Sequence, residues 1–489
     1  MTVAPLGAAT AAERSAAETR REIPSGADKR AVQIARQLED EIIARGWPVG
    51  EALGSEPELQ ERFGVSRSVL REAVRLLEHH EVGRMMRGRN GGLLVTAPDP
   101  GPATRALVIY LEYVGTSMEH LLQARLLLEP LAARLASAAV TEEGIGGLRD
   151  ALAAEWVRWG ERNPRSEDEL HVILGRSSGN VVLQLLVDVL IRLTARYARM
   201  SRLVPKEDAA AKSKNHARHV EIVEAVIAGD AATAETSMAD HLEKTTNWLI
   251  AHRARRPAEP ALRGSPDPSV PAGRKLAEVV ADRIHDDIAA DGWRVGEVIG
   301  SEIDLLHRYE VSRAVLREAV RLLEHHSVAW MRRGPGGGLV VQTPDPTASI
   351  HTVALYLDHE GLSPTDLRVV REAIELGCIH AVTVEGASPE TADRLRTTVE
   401  RAAERGDSGD LFHNELADLA GNPVLILFLR IITELWSRHS RTERPATPAV
   451  ADEVRRVHEK ILDAVLAGDD GLAQHRMRRH LQALTAWWH

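Results

Sequence analysis

One cysteine, Cys378, occurs among 489 residues. A single thiol excludes an intramolecular disulfide framework and fits a reducing compartment. Long hydrophobic runs are missing as well. The most apolar stretch, NVVLQLLVDVLIRL from Asn180, is broken by Asp188 and Arg192 and falls short of the ~20 apolar residues that a membrane-spanning helix needs. Residues 1–26 mix Ala with Glu and Arg and contain no apolar run of signal-peptide length, so they are expected to form a disordered tail. A soluble, cytoplasmic protein with no membrane partner is expected. An overall positive charge is also lacking: the formal net charge is −10, which argues against wholesale coating of nucleic acid. What is present is a long chain with 44% hydrophobic residues, enough to bury several cores in about three or four domains.

The sequence is internally duplicated. VSRSVLREAVRLLEHH, from Val65, returns as VSRAVLREAVRLLEHH, from Val311, and residues 69–80 are identical to 315–326. Between Gly54–His80 and Gly300–His326, 20 of 27 residues match at a constant offset of 246. That period is far above the roughly 20–50 residues of a solenoid repeat. Two whole two-domain units are therefore fused. Proline and glycine punctuation subdivides them: TAPDPGPAT (96–104) and QTPDPTAS (342–349) separate a short front domain from a longer helical one. RRPAEPALRGSPDPSVPAG (255–273) reads as the linker between copies. The expected organisation is a tail at 1–26, front domains at 27–98 and 273–346, rear domains at 105–252 and 347–489, and a linker at 253–272.

Each front domain reads as three helices and a hairpin. Residues 29–45 have helical periodicity, and Ser55 with Glu58, like Ser301 with Asp304, has capping-box spacing for a second helix. Ser66 stands where it can cap a third helix, whose apolar stripe is Val69, Leu70, Ala73, Val74 and Leu77. Arg67, Arg71 and Arg75 fall on the opposite side. MMRGRNGGLLVT and MRRGPGGGLVVQ then read as glycine-tipped hairpins. The fold class is mainly α: two winged helix-turn-helix domains, each followed by an all-helical bundle.

An arginine row alone describes a solvated helix face as readily as a DNA-reading one. The neighbouring wing, with Arg87 and Arg89 in one copy and Arg332 and Arg333 in the other, favours DNA. Residues 62–90 hold seven Arg against three Glu, and 308–336 hold six against three. Guanidinium groups can reach guanine O6 and N7 bidentately, a helix N-terminus can approach phosphate, and a wing can add backbone or minor-groove contacts. The candidate DNA-binding residues are Ser66, Arg67, Arg71, Arg75, Arg87 and Arg89, and Ser312, Arg313, Arg317, Arg321, Arg332 and Arg333.

The signature G-x-x-L-x-S-E-x-x-L…V-S-R-x-x-L-R-E-A-x-x-x-L-E with a Gly-rich wing resembles the GntR family of bacterial transcription regulators, in the FadR-like subgroup with an FCD effector domain. The resemblance implies a double-stranded DNA operator read by Arg67 and Arg71 and by Arg313 and Arg317. One departure is the position after Ser-Glu, often Arg in the family, which is Pro57 in one copy and Ile303 in the other.

In the rear domains Arg125 precedes Glu129 by four residues, as Arg371 precedes Glu375. His219 and His241 lie 22 residues apart, as do His458 and His480. On one continuous helix such a pair would be about 33 Å apart. Gly229 and Gly468, each followed by Asp, look instead like C-caps of a helical hairpin that sets the two imidazoles side by side. A third imidazole, His171 or His413, has Asp168 or Asp410 three residues earlier on the same helical face. FCD domains typically bind a divalent metal through three His and a carboxylate four residues before the first. That position is Glu167 in copy one and Gly409 in copy two, so the expected ligands are Asp168, His171, His219 and His241, and Asp410, His413, His458 and His480. Such a set suits Zn²⁺ or Ni²⁺ better than Mg²⁺. The family further implies a small organic acid as effector, with Arg125 and Arg371 as effector-binding cations.

Two other readings stay open at this point. Three His with an open coordination position also describe a metal-dependent enzyme, although no independent nucleophile or general-base motif accompanies them. A DNA-binding protein whose rear domains sense nothing is the other. Family members generally act as homodimers on near-palindromic sites. Here a linker of about 19 residues, spanning roughly 20–26 Å, lets the two copies pair within one chain. A monomer acting as an intramolecular pseudo-dimer is expected; a homodimer of fused chains is the alternative.

Overall fold

The computed structural model describes residues 26–158, 166–200, 209–253, 276–405, 410–440 and 448–485, apart from Arg87, Arg89, Asn90, Arg333, Pro335 and Ala387. Almost all of the expected tail and of the expected linker lies outside these residues, as do the wing residues Arg87, Arg89 and Arg333. Twenty helices and two two-stranded antiparallel sheets make up the described chain. None of these helices is long and apolar enough to cross a membrane.

The first winged helix comprises α1 (Gly26–Ala44), α2 (Glu56–Phe63), α3 (Arg67–His79), β1 (Gly83–Met86) and β2 (Gly92–Val95). Ser55 and Glu58 form a reciprocal capping box at the start of α2, satisfying backbone donors that the helix leaves open. Leu70, Ala73, Val74 and Leu77 on α3 are buried against Ala31, Ile34, Leu38 and Ile42 of α1. The strands pair Gly83 with Val95 through Met86 with Gly92.

Copy one continues with α4 (Pro100–Tyr113), α5 (Met118–Ala139), α6 (Glu142–Arg158), α7 (Ser166–Ser177), α8 (Val181–Met200), α9 (Ala209–Ala228) and α10 (Ala231–Arg253). Copy two repeats the plan: α11 (Leu276–Ala290), α12 (Glu302–Tyr309), α13 (Arg313–His325), β3 (Ala329–Arg332), β4 (Gly338–Val341), α14 (Pro346–His359), α15 (Pro364–Glu385), α16 (Pro389–Arg405), α17 (Asp410–Leu419), α18 (Pro423–Ser440), α19 (Pro448–Leu466) and α20 (Asp470–Thr485). In each rear bundle a central helix, α5 or α15, packs against the helices that carry the histidines.

Chain order does not decide where the connecting helices pack. The structure divides into two compact units, and residues 347–359 of α14 belong with the first winged helix. Leu355 is buried in that core, and the His359 ring meets Trp47 edge-on at 5.1 Å. In the second unit, α4 does the same for the other winged helix: Ile109 is buried with Val280, Ile284 and Leu316, and Tyr113 meets Trp293 at 5.6 Å. Each copy's connecting helix thus packs on the other copy's winged helix.

Within the second unit the two rear bundles also meet, α5 against α15 and α18, and α8 against α15. The Asn180 amide donates to the Asp366 carbonyl at 3.0 Å, and the Asn422 amide donates to the His120 carbonyl at 2.9 Å. Asn180 matches Asn422 between copies, and His120 matches Asp366, so this is one bond made twice about a pseudo-twofold axis. Gly377 permits a close approach there: a Cβ at that position would lie 2.4 Å from Leu127 Cδ1.

Candidate metal centres and DNA-reading helices

The helical hairpins form where glycine allows them. Gly229 (φ 73°) and Gly468 (φ 70°) take the left-handed conformation at the ends of α9 and α19, reversing the chain into α10 and α20. His219 and His241 then meet with ring centroids 4.5 Å apart, and His458 and His480 at 4.8 Å. His171 on α7 and His413 on α17 complete two triads. The corresponding ring separations from the third imidazole are 5.4 and 5.2 Å in copy one and 5.2 and 5.3 Å in copy two. All six histidines are at most 5% exposed.

The triads are held from outside. Arg125 Nε donates to Glu129, which accepts from His171 Nδ1 at 2.5 Å. Arg371 Nε donates to Glu375 at 2.5 Å, and Glu375 also accepts from His413 Nδ1. Burial raises both carboxyls, but the adjoining cation and imidazole outweigh it and bring each down to about 2. With Nδ1 engaged, His171 and His413 have Nε2 left for the centre of the triad. His219 and His241 bring their Nε2 atoms within 3.3 Å; His480 Nε2 lies 3.3 Å from that of His413 and 3.1 Å from that of His458. Burial, reinforced by the neighbouring imidazoles, holds His241, His458 and His480 well below the ordinary imidazole range.

This donor chemistry fits a cation. Two facing Nε2 atoms can share only one proton, and a third imidazole occupies the same dry space, while buried His241 Nδ1 has no hydrogen-bond partner among the described residues. Imidazoles whose Nδ1 is held by a carboxylate, as in His171, His219 and His413, have the arrangement of metal ligands with their orienting partners. Asp168 and Asp410, expected as the fourth ligands, lie on α7 and α17, but their side chains fall outside the described residues.

Arg125 Nη1 lies 3.4 Å from Thr194 Oγ1, whereas Arg371 has the Trp436 ring 5.2 Å from its guanidinium carbon. Both arginines are buried. Glu129, Glu375 and Glu155, which hold imidazole nitrogens, were not among the sequence candidates. For Glu129 and Glu375 the four-residue spacing from Arg was the available signal; for Glu155 there was none.

On the winged helices, the arginine rows are exposed. Arg67 donates to Glu56 through Nε (2.9 Å) and Nη2 (3.2 Å), and Arg71 Nε donates to the same carboxylate at 3.2 Å. The hydrogen bond from Arg67 holds the Glu56 carboxyl below its usual range. In copy two Arg317 pairs with Glu302 at 3.4 Å, while Arg313 and Arg321 are exposed. Arg75 pairs with Glu72. Ser312 caps α13 by accepting from Val315 N; Ser66 makes no such cap and instead meets Ser68 Oγ at 2.9 Å, a hydroxyl replaced by Ala314 in copy two. Arg332 on β3 donates to the Gly336 carbonyl across the wing.

The family model for bacterial regulatory proteins of the gntR family matches residues 30–89 and again 276–341, and the FCD domain model matches 120–244 and 366–483. The chain belongs to the GntR family. It is a transcription regulator with DNA-binding and FCD effector domains, each present twice, and not an enzyme. Among relatives, the HTH-type transcriptional regulator YcbG of Bacillus subtilis is 28% identical over 214 residues, covering 43% of this chain and 88% of that protein. The HTH-type transcriptional repressor NanR of Escherichia coli is 26% identical over 235 residues, covering 45% of this chain and 86% of that protein. Matches that take most of a relative but under half of this chain are what a tandem fusion produces. The solved Streptococcus agalactiae GntR structure is 24% identical, with a TM-score of 0.34, covering 45% of this chain and 99% of that one.

Proposed function

We propose that this GntR regulator binds one imperfect palindromic operator with a single chain, and that a divalent metal together with a small organic carboxylate in the FCD bundles sets its operator affinity. The observation that carries the reading is the pair of buried His triads, each backed by an Arg–Glu relay. Zn²⁺ or Ni²⁺ suits three imidazoles, and would act as a Lewis acid toward a carboxylate ligand. Asp168 and Asp410 are the proposed fourth ligands, and Arg125 and Arg371 the cations that favour an anionic effector. On the DNA side, Ser66, Arg67, Arg71, Arg75, Arg87 and Arg89, with Ser312, Arg313, Arg317, Arg321, Arg332 and Arg333, are the proposed contacts.

The reciprocal Asn180 and Asn422 bonds and the exchanged connecting helices support an intramolecular pseudo-dimer acting as a monomer in the cytoplasm. A homodimer of such chains would need a longer operator. The test is selection of DNA from a random pool, then titration of the selected site with apo protein, Zn²⁺- or Ni²⁺-loaded protein, and loaded protein plus a panel of small organic acids. Operator affinity that is the same in all three states defeats effector control. Light scattering of the complex that gives two chains per pair of half-sites defeats the pseudo-dimer.

A further inference from the structure

The two triads share their imidazole geometry and their Arg–Glu relay, but their surroundings have diverged. Helices α6 and α16 start in the same register, since Thr141 accepts from Gly144 N and Ser388 from Thr391 N, both at 3.1 Å. Fourteen residues after these caps stand Glu155 in copy one and Ala402 in copy two. Glu155, 1% exposed, accepts from His219 Nδ1 at 3.0 and 3.1 Å and lies 3.1 Å from His216 Nδ1. His458, the counterpart of His219, instead stacks on Phe412 with centroids 4.4 Å apart and planes inclined by 21°. Phe412 is itself a divergence, its counterpart being Leu170. His219 is therefore held by an anion, and His458 by a phenyl face.

We propose that the two triads are unequal metal sites, the N-terminal one binding a divalent transition metal more tightly, with Glu155 as the positioning residue responsible. The proposal rests on the metal reading above. A carboxylate accepting Nδ1–H fixes the tautomer with the Nε2 lone pair directed inward and makes that nitrogen a stronger donor. It also adds a buried negative charge close to the cation. The Phe412 stack orients the His458 ring by dispersion but adds no charge. At limiting metal, one half of the chain loads before the other, so the fused regulator responds in two steps where a symmetric homodimer has two identical sites.

The test uses the full chain stripped with a chelator and titrated with Zn²⁺ alone by calorimetry, then with Co²⁺ alone by its visible ligand-field absorption. The wild type is expected to bind in two steps whose affinities differ by at least tenfold. His219→Ala should remove the tight step and His458→Ala the weak one. Glu155→Gln should weaken the tight step by roughly 10–100-fold, as loss of such outer partners generally does, and leave the weak step unchanged. Glu155→Asp, which keeps the anion, should restore most of the loss. Circular dichroism and melting of each apo variant separate lost affinity from lost folding. Two steps of equal affinity, or a Glu155→Gln protein that binds as the wild type does, overturn this inference and leave the metal reading standing. A folded wild type that takes up no metal overturns both.

Discussion

Nε2 of His351 lies 2.7 Å from the Glu39 carboxylate, so the connecting helix of the second copy closes a buried polar cluster in the winged helix of the first. His80, the C-cap of α3, places its Nδ1 2.7 Å from the other oxygen of Glu39, and its ring is 4.6 Å from that of His351. Helix α3 is thus tied at its C-terminal end to the connecting helix of the other copy. The counterpart clasp on the second winged helix uses different groups: Arg196 Nη2 donates to His285 Nδ1 at 3.0 Å and pairs with Asp286 at 2.7 Å, and Arg196 Nε donates to Glu112. One clasp sets two imidazoles on a carboxylate, and the other sets a guanidinium between two carboxylates and an imidazole.

The first prediction is a pH dependence of the first clasp. Burial raises the Glu39 carboxyl, but hydrogen bonds and charge from His351 and His80 outweigh it and lower it from 4.5 to about 2. A depressed carboxyl stabilises the fold above its unfolded value and loses that contribution as pH falls through its folded value. Glu39 should therefore contribute about 3 kcal/mol at pH 6, fading between about pH 4.5 and pH 2. Unfolding of wild type and Glu39→Gln should be well separated at pH 6 and converge toward pH 2. A gap that is the same at every pH would show that the Glu39 charge contributes nothing.

Operator binding supplies the second. Arg67→Ala and Arg71→Ala should each cost about 1–3 kcal/mol of operator affinity if the lost contact is a bidentate base contact, and should relax specificity at one position. Loss spread evenly over all sequences, with the salt slope reduced by about one, would instead assign the arginine to phosphate. Fluorescence anisotropy at two salt concentrations distinguishes the cases, and affinity unchanged at low salt removes the residue from the interface.

Packing between the bundles gives a prediction whose sign depends on background. Gly377→Ala gains about 1 kcal/mol of helix propensity but drives a methyl group into Leu127, a strain of about 1–3 kcal/mol. Alone it should be neutral to destabilising. In a Leu127→Ala background the same change should stabilise. Melting temperatures of the four proteins in this cycle decide it, and additivity would mean that the two residues do not meet.

For the buried relay, Arg125→Met leaves Glu129 in a dry site with the His171 imidazole in place of a full cation, and breaking such a buried charge pair costs up to about 3–5 kcal/mol. The double variant Arg125→Met/Glu129→Leu removes both charges and should be less destabilised than the single one. Denaturant unfolding of the metal-free proteins measures the difference. A double variant as unstable as the sum of both singles would mean that the pair is not the energetic unit.

Several local features could be read directly. The stripe from Val69 to Leu77 marks the helix that buries Leu70, Ala73, Val74 and Leu77, and Ser55 and Ser301 mark capping boxes, because side-chain period and caps act over one or two turns. The 22-residue histidine spacing becomes a contact through Gly229 and Gly468, whose left-handed conformation is a backbone property legible at the residue itself. Ser66 shows the limit even there: it occupies the N-cap position, but its hydroxyl pairs with that of Ser68.

The sequence by itself determined the duplication, the two kinds of domain, the outward arginine rows and the histidines available for the triads, since each follows from composition, period or a turn. Tertiary structure decided which elements meet. A duplicated sequence offers every connecting helix two nearly identical winged helices, so local pattern leaves the choice degenerate, and only packing places Leu355 in the first core and Ile109 in the second. The same holds for Glu155, an isolated carboxylate whose significance appears only when α6 sets it beside His219, 64 positions away. It holds too for Glu39 and His351, 312 positions apart, where the burial that lowers the dielectric and makes their pairing matter is a property of the assembled core and of no single segment.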